Sequence, residues 1–341
     1  MTVDGEHHEI ALSDSSVDVW LDRRFPFDPT GDMRTLRTQV REAIRGLRCP
    51  PGSVLCATYS SADESFCDVE NVLVYNVGPS VFAGSSRRGL RLVRNWTAAG
   101  ASPLGRLFAH HHRYCFTDPP EKPAALDAGE FSFDLASLST STKPHEIWWR
   151  ATSARPASAT PIRGRFALHV ELGTPSPLQN VANIIKPLLD GVVCAMHAES
   201  QVDAEAVGRL SRASTWDVAE ISKRLSAPPN PILGSRRLLH HYRDFVKWDP
   251  ADDLCDDCTV LVTPASRLTC TVVVMPWTTK HSAGPFSVAD VVASTQAIPL
   301  ALRHQQAHRT KDSVCRDASS PTEPCPSAVA SCSYPHPRRR S

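Results

Sequence analysis

The feature that most constrains this fold is an alternating strand that leads directly into an amphipathic helix. Between 165 and 172 apolar and more polar residues alternate with period two, which predicts a strand with one face on a core. A Gly-Thr-Pro-Ser-Pro turn follows, and after it apolar residues recur at helical spacing in two adjacent rows. These rows predict a helix over 183–197 whose core-facing stripe is Ile184, Ile185, Leu188, Leu189, Val192, Val193 and Met196.

The remaining periodic segments predict an α+β protein. Leu36, Val40, Ile44 and Leu47 have helical spacing within 33–47, and Pro50, Pro51 and Gly52 end that helix. Other segments are assigned from alternation, β-branched content and turn residues. The predicted strands are 17–24, 54–59 and 72–77, edge strands 91–94 and 106–116, and a closing hairpin of 259–263 with 268–275; further helices are predicted at 215–225 and 232–246.

Composition shifts divide the chain into four regions. A flexible N-terminus (1–16) precedes an N-terminal α+β domain (17–155), and a proline- and serine-rich stretch near 155 marks the boundary to a second α+β domain (156–277). One large α+β domain is the alternative arrangement. The last region, 278–341, has the proline- and arginine-rich composition of a largely disordered tail. No long-period repeat is evident.

Charge and cysteine content exclude several classes of protein. Lysine plus arginine (37) nearly balances aspartate plus glutamate (36), so there is no global basic field and any nucleic-acid contact requires a local patch. No run of eighteen apolar residues and no secretory leader is evident, so we expect a cytoplasmic protein that does not span a membrane. The eleven scattered cysteines fit buried free thiols.

The helix at 183–197 carries a polar pattern that is found in one family of nucleases. Asn183, Lys186 and Asp190 are spaced as Asn-x-x-Lys-x-x-x-Asp, and a Ser-Gln-Val segment follows at 200–202. With the preceding alternating strand, residues 163–203 resemble the RusA family of Holliday junction resolvases. In that family's motif two aspartates stand where this chain has Asn180 and Ala182.

The resemblance implies Mg²⁺-dependent cleavage of branched DNA by a homodimer. It assigns catalytic roles to Lys186, Asp190 and Glu199, the last of which stands with Ala198 in place of a later pair of aspartates. That chemistry needs hard oxygen ligands, whereas asparagine is a neutral ligand and alanine provides none. The alternative interpretation is an ordinary amphipathic helix in which Lys186 and Asp190 form an i,i+4 ion pair.

A second acid-x-acid-Asn run lies in the first half of the chain, at Asp68, Glu70 and Asn71. If it lies close to the helix at 183–197, Asp68, Glu70 and Asp190 together form a candidate metal site. The alternative is a turn with solvated acids before a strand. The first interpretation predicts that Asp68 and Glu70 lie beside Lys186 and Asp190.

Basic and metal-ligating residues supply weaker candidates. Lys186, Arg236, Arg237 and Arg243 are candidates for nucleic-acid binding, the last three on the helix predicted at 232–246. Three histidines at 110–112 alternate faces on a strand and fit a solvated edge. Cys255 and Cys258 form one Cys-x-x-Cys pair, which is a candidate zinc site with nearby Cys270 and the His240–His241 pair; the alternative is a polar turn before a strand.

These observations lead to three hypotheses about function. The first is a degenerate, RusA-like protein that binds nucleic acid or a protein partner without cleavage. The second is an active Mg²⁺-dependent, structure-specific endonuclease with a rearranged acidic site. The third is a non-catalytic protein-interaction module. No phosphate-binding glycine loop, Gly-x-Ser-x-Gly elbow or His-Glu-x-x-His pair is present, which argues against several large enzyme classes.

Overall fold

Strands from both halves of the chain form one ten-stranded mixed sheet. The computed structural model describes residues 2–63, 68–123, 129–156, 160–226, 231–243 and 245–277. Within them the sheet order is β1-β2-β3-β6-β4-β5-β13-β8-β14-β7. These strands are β1 (Thr2–Gly5), β2 (His8–Leu12), β3 (Ser16–Leu21), β4 (Val54–Ser60), β5 (Gly89–Asn95), β6 (His110–Thr117), β7 (Gly129–Asp134), β8 (Phe166–Thr174), β13 (Cys255–Pro264) and β14 (Thr269–Pro276).

Five α-helices and two small sheets complete the described structure. The helices are α1 (Asp32–Gly46), α2 (Pro144–Ala154), α3 (Ile185–Ala195), α4 (Ala204–Ala213) and α5 (Val218–Ser226). The small sheets pair β9 (Ala198–Glu199) with β10 (Ser235–Arg236), and β11 (Leu239–Tyr242) with β12 (Phe245–Trp248). Short helical turns lie at Asn71–Tyr75, Pro79–Phe82, Val181–Asn183 and Asp252–Leu254. No helix of the described residues is long and apolar enough to cross a membrane.

The α+β class is confirmed, and the strongest periodic segments form the predicted elements. Strand β8 occupies the alternating segment, and α1 buries Met33, Leu36, Val40 and Ile44 as their spacing requires. All seven residues of the predicted stripe on α3 are buried. Where periodicity marks one face of a long helix, the burial that it predicts is found, whereas β8 buries residues on both of its faces and not on one.

The structure differs from the sequence prediction in the type of two elements, in the sheet position of β5 and β6, and in the pairing of β13 with β14. Residues 72–77, predicted as a strand, begin in the helical turn at Asn71–Tyr75, and 232–246 forms short strands instead of a helix. Strands β5 and β6 lie inside the sheet and not at its edges. Strands β13 and β14 do not pair with each other as a hairpin, because β8 lies between them. Short apolar runs leave helix and strand ambiguous, and neighbours are chosen by tertiary pairing.

The boundary predicted near residue 155 does not separate two sheets. Strand β5 from the first half pairs antiparallel with β13 from the second, and buried side chains from both halves form one hydrophobic cluster. The described residues belong to one compact unit, which corresponds to the alternative of one large α+β domain. Residues 2–12, predicted as flexible, form β1 and β2. The tail predicted at 278–341 lies outside the described residues.

The junction between the halves depends on a close approach of β5 to β13. Gly89, at the start of β5, has φ 134° and pairs with Leu261 of β13. A Cβ atom at this position would lie 2.2 Å from the carbonyl oxygen of Val260. Both the backbone angle and the contact therefore require glycine.

We expect Gly89→Ala to destabilise the protein by about 2–4 kcal/mol, because it adds overpacking to an unfavourable backbone angle. Gly84→Ala is the matched control, since a Cβ atom there meets nothing within 4 Å. Urea unfolding of both variants measures the difference. Equal midpoints for the two variants would contradict this account of the junction.

Candidate functional site

Four carboxylates from three separate segments surround the ammonium group of Lys186. The Nζ atom lies 2.6 Å from Asp252 Oδ2, 2.8 Å from Glu70 Oε1, 3.0 Å from Asp190 Oδ1 and 3.5 Å from Asp68 Oδ2. We call these five residues the Lys186 cluster. It joins residues that are more than 180 positions apart in the chain.

Local structure places each segment of the cluster. Asp68 and Glu70 lie at the start of the helical turn that follows β4, and the apolar side chains between and after them are buried. Lys186 and Asp190 lie one turn apart on α3, so that both extend from one face of the helix. Asp252 opens the short turn that leads into β13. The acids reach Lys186 because β5 and β13 bring the two halves side by side.

The cluster contains more negative charge than its lysine can balance. Glu70 is 1% exposed and Asp252 is 4% exposed. Two further carboxylate oxygens, Asp68 Oδ1 and Glu70 Oε2, are buried without a hydrogen-bond donor among the described residues. Buried carboxylate oxygens without a donor are unfavourable, and buried charges are normally paired or bound to a metal. The excess of negative charge in the cluster therefore favours binding of an additional cation.

Burial and mutual repulsion keep protons on these acids near neutral pH. Burial, with repulsion from Asp252, raises the pKa of Asp68 to about 6 despite the opposing effect of Lys186. Burial raises the pKa of Asp190 to about 7 and that of Glu70 well above its ordinary value. Burial lowers the pKa of Lys186, but attraction from the surrounding carboxylates, Asp190 first, outweighs it and raises this pKa overall. The lysine is therefore charged while some of its partners hold protons.

Three of the acids have the geometry of a metal-ligand set. Asp68, Glu70 and Asp252 each offer one carboxylate oxygen, and the three oxygens lie within 4.8 Å of one another. Carboxylates are hard ligands that suit Mg²⁺ or Mn²⁺ and not a thiophilic metal. A divalent ion bound to this set would offset the surplus negative charge.

The geometry brings together four of the residues singled out from sequence. Asp68 and Glu70 lie beside Lys186 and Asp190, although the two pairs come from different halves of the chain. The sequence did not identify Asp252 as a site residue, because the acidic residues around the Cys-x-x-Cys pair are typical of a polar turn. The signal that could have identified it is an acidic pair, Asp252–Asp253, directly before a strand.

Glu199, assigned a catalytic role by the resemblance, has a different set of partners. Its carboxylate accepts hydrogen bonds from the backbone amides of Gln201 (3.0 Å), Leu238 (2.9 Å) and Leu239 (3.1 Å). Both oxygens are used, and they connect the loop after α3 to the segment before β11. The described contacts of Glu199 therefore fix a loop and do not extend to Lys186.

Asn180 and Ala182, which precede α3, have neutral hydrogen-bond partners. The hydroxyl of Ser86 donates to Asn180 Oδ1 (3.0 Å), and Asn180 Nδ2 donates to the carbonyl oxygen of Pro79 (3.0 Å). The amide of Ala182 donates to Ser86 Oγ at 3.4 Å. These residues thus contact the first half of the chain and not the Lys186 cluster.

The residues proposed for nucleic-acid binding do not form one uncommitted basic face. Lys186 is engaged by four carboxylates, Arg236 lies 3.4 Å from Asp249 and 3.6 Å from Asp253, and Arg237 lies 3.2 Å from Asp203. The helix predicted to carry three of them is absent from the described residues, since Arg236 is on β10 and Arg243 follows β11. Arg243 is exposed, with φ 50°.

The histidine and cysteine motifs have structural environments. Strand β6 is interior, so the solvated edge expected for its histidines is wrong. His110 pairs with Tyr59 Oη at 2.8 Å, and complete burial lowers the pKa of His112 to about 3. Cys255 and Cys258 are buried on β13, and among the described residues the acidic triad is the single group with metal-ligand geometry. That group contains no cysteine.

Comparison of the chain with protein-family models, with curated proteins and with solved structures returns no significant match. The site's chemistry therefore has to be argued from its own residues.

We expect Lys186→Met to destabilise the protein by about 3 kcal/mol at pH 8, because it leaves buried carboxylates without their cation. The loss should be smaller at pH 5, where raised pKa values let those acids take up protons. Thermal unfolding at both pH values measures this.

The matched control is Lys122→Met, which removes an exposed pair with Glu130 and should cost less than about 1 kcal/mol at either pH. A Lys186→Met variant that loses no more stability than this control would show that the cluster is not held by its lysine.

Proposed function

We propose that the Lys186 cluster binds a divalent cation and that the protein is a Mg²⁺-dependent nuclease with this composite acidic site. The observation that carries the proposal is the triad of Asp68, Glu70 and Asp252, which offer one carboxylate oxygen each within 4.8 Å of one another. Asp68 and Glu70 each have, in addition, one buried oxygen without a donor among the described residues. The excess of carboxylates over lysine supports a cation and not a purely structural ion pair. The resemblance of residues 163–203 to RusA-like resolvases supports DNA, branched DNA in particular, as the substrate.

Each residue of the cluster has a distinct role in this proposal. Asp68, Glu70 and Asp252 hold the cation, and a cation bound there supplies a lowered pKa for water and charge stabilisation for a phosphodiester. Lys186 places a positive charge beside the same point and stabilises the additional negative charge that develops on a phosphate under attack. Asp190, one turn along α3 at 3.0 Å, orients the Lys186 side chain.

Hydrolysis of a phosphodiester balances with water as the single co-reactant. The water oxygen forms a bond to phosphorus and one phosphorus–oxygen ester bond breaks. One proton of the water passes to the leaving sugar oxygen, and the other remains with the product phosphate. Asp190, which is not one of the three ligands and whose pKa burial raises to about 7, is suited to exchange one of these protons at neutral pH.

A non-catalytic function is the second candidate. Its supporting observation is that Lys186 already lies 2.6–3.5 Å from all four carboxylates, as in a structural ion-pair cluster that joins the two halves. In that case the protein binds nucleic acid or a partner without cleavage. The two candidates differ in whether a divalent cation binds the cluster.

We expect purified protein to bind Mn²⁺ and to cleave branched DNA with Mg²⁺. Glu70→Gln and Asp252→Asn should each reduce Mn²⁺ affinity by more than about 10-fold and abolish cleavage, since each removes a ligand charge. Calorimetric titration and a gel-based cleavage assay measure the two effects.

Asp249→Asn is the matched control, because Asp249 is a half-exposed acid near the site that contacts Arg236 and not Lys186. It should retain wild-type Mn²⁺ affinity and cleavage. Wild-type protein that binds no divalent cation would refute the nuclease proposal and leave the non-catalytic candidate.

Cation affinity should increase with pH from about 5 to at least 7. The pKa values of Asp68 (about 6) and Asp190 (about 7) lie above the ordinary 3.8, so the folded protein holds protons in this range that an unfolded chain has lost. The stability of the cation-free protein therefore falls as pH rises from about 4 to 7, and cation binding releases protons.

Titration at pH 6 in buffers of different ionisation enthalpy measures the number of protons released. Binding with no proton release at pH 6 and no pH dependence would place the cation elsewhere.

A further inference from the structure

Strands β3, β6, β4 and β5 have the same topology as strands β7, β14, β8 and β13, and the two sets lie in opposite order across the large sheet. In this comparison the second half of the chain begins with β7. In the first half β3 is antiparallel to β6, β6 is antiparallel to β4, and β4 is parallel to β5. In the second half β7 is antiparallel to β14, β14 is antiparallel to β8, and β8 is parallel to β13. A helix follows the first strand in each half, α1 after β3 and α2 after β7.

The spacing along the chain supports the same correspondence. Helices α1 and α2 begin at Asp32 and Pro144, and strands β4 and β8 begin at Val54 and Phe166. The two helix starts are separated by the same number of residues as the two strand starts. The same number separates Asp68, which opens the acid-x-acid-Asn run, from Asn180. The agreement ends after α3, where the second half carries α4, α5 and four short strands before β13.

Strands β5 and β13 are equivalent to each other and pair antiparallel at the centre of these eight strands. Antiparallel pairing of two equivalent strands relates the halves by an approximate two-fold rotation, as in an isologous dimer. The chain thus has the architecture of two copies of one unit, joined in tandem.

The site segments match position by position under this correspondence. Residues 68–78 read DVENVLVYNVG and residues 180–190 read NVANIIKPLLD. Valine and asparagine are shared at the second and fourth positions. Both segments bury their second, fifth, sixth and tenth residues, which are Val69, Val72, Leu73 and Val77 in the first and Val181, Ile184, Ile185 and Leu189 in the second.

Each charged residue of the Lys186 cluster has an uncharged counterpart. Asp68 and Glu70 correspond to Asn180 and Ala182, and Lys186 and Asp190 correspond to Val74 and Gly78. Asp252 lies three residues before β13, as Ser86 lies three residues before β5. Proximity corresponds as well. Ser86 bonds Asn180 and the amide of Ala182, and the equivalent residues Asp252, Asp68 and Glu70 have carboxylate oxygens within 4.8 Å of one another.

We infer that the protein is a tandem duplication with two related sites, of which one binds a cation and the other, formed by Ser86, Asn180 and Ala182, is neutral and silent. The first half has Asp68 and Glu70 but Val74 at the position of the lysine, whereas the second half has Lys186 but Asn180 and Ala182 at the positions of those two acids. Because each site takes residues from both halves, these complementary losses leave one complete site. This part of the inference rests on the proposed nuclease function: with one complete site, the protein cleaves one DNA strand in each binding event.

The first test is Mn²⁺ binding, measured by electron paramagnetic resonance, to a variant that copies the silent site into the Lys186 cluster. The variant carries Asp68→Asn, Glu70→Ala and Asp252→Ser, the residues found at the equivalent positions. We expect all Mn²⁺ binding of the wild-type protein to be lost. Binding that remains in the folded variant, checked by circular dichroism, would show that the second site also holds a cation and would overturn the inference.

The second test compares the products from a supercoiled plasmid in excess over protein, in which an inverted repeat extrudes a cruciform and so provides the branched substrate. We expect nicked circles to accumulate first, with linear DNA appearing later from independent second events. Linear DNA formed from the outset at the same rate would show paired incisions and overturn the single-site inference. Wild-type protein that binds no Mn²⁺ would instead refute the proposed function, so the two failures are distinguishable.

A gain-of-site variant provides an additional test. Adding Ser86→Asp, Asn180→Asp and Ala182→Glu to the copied-site variant rebuilds the acidic triad on the silent side. We expect Mn²⁺ binding to return. A folded variant that binds no Mn²⁺ would contradict the equivalence of the two sites, and if this variant does not fold, the copied-site variant and the plasmid products decide the question.

Discussion

The interaction on which the site depends is the attraction between one buried ammonium group and carboxylates from distant parts of the chain. Lys186 on α3 contacts Glu70 from the first half and Asp252 from the turn before β13. Buried charges are tolerated where they are paired, so this contact constrains how α3, the turn after β4 and the start of β13 pack together. The surplus of acid over base is what separates a candidate cation site from a structural ion pair.

The pairing of β5 with β13 makes this contact possible. Gly89 permits the close approach of the two strands, and the approximate two-fold arrangement places the start of each site helix against the other half. A site built across such a junction can be completed by residues that neither half contains alone. The same arrangement explains why the counterpart at Ser86 and Asn180 can lose its charges without loss of the fold, since hydrogen bonds between neutral groups replace them.

Sequence patterns predicted the long amphipathic elements well. Helices α1 and α3 bury the residues that their periodicity selects, because burial of one helix face is a local property of spacing. Strand β8 forms where alternation predicts it, but neighbouring elements bury both of its faces. Short segments were less informative. The run at 72–77 is apolar and β-branched, yet it begins in a helical turn, and 232–246 has helical spacing but forms strands. In both, long-range packing overrides local preference.

The candidate site, like the fold, could be predicted from the sequence only in part. The α+β class, the apolar stripe of α3 and the presence of two acid- or lysine-bearing motifs could be predicted from the sequence, because these depend on residue type and spacing. That the motifs are halves of one site, that Asp252 belongs to it and that the chain repeats one unit became evident from the tertiary structure. Charge attraction and strand pairing act between residues that are far apart in the sequence, and no local pattern records which partners they choose.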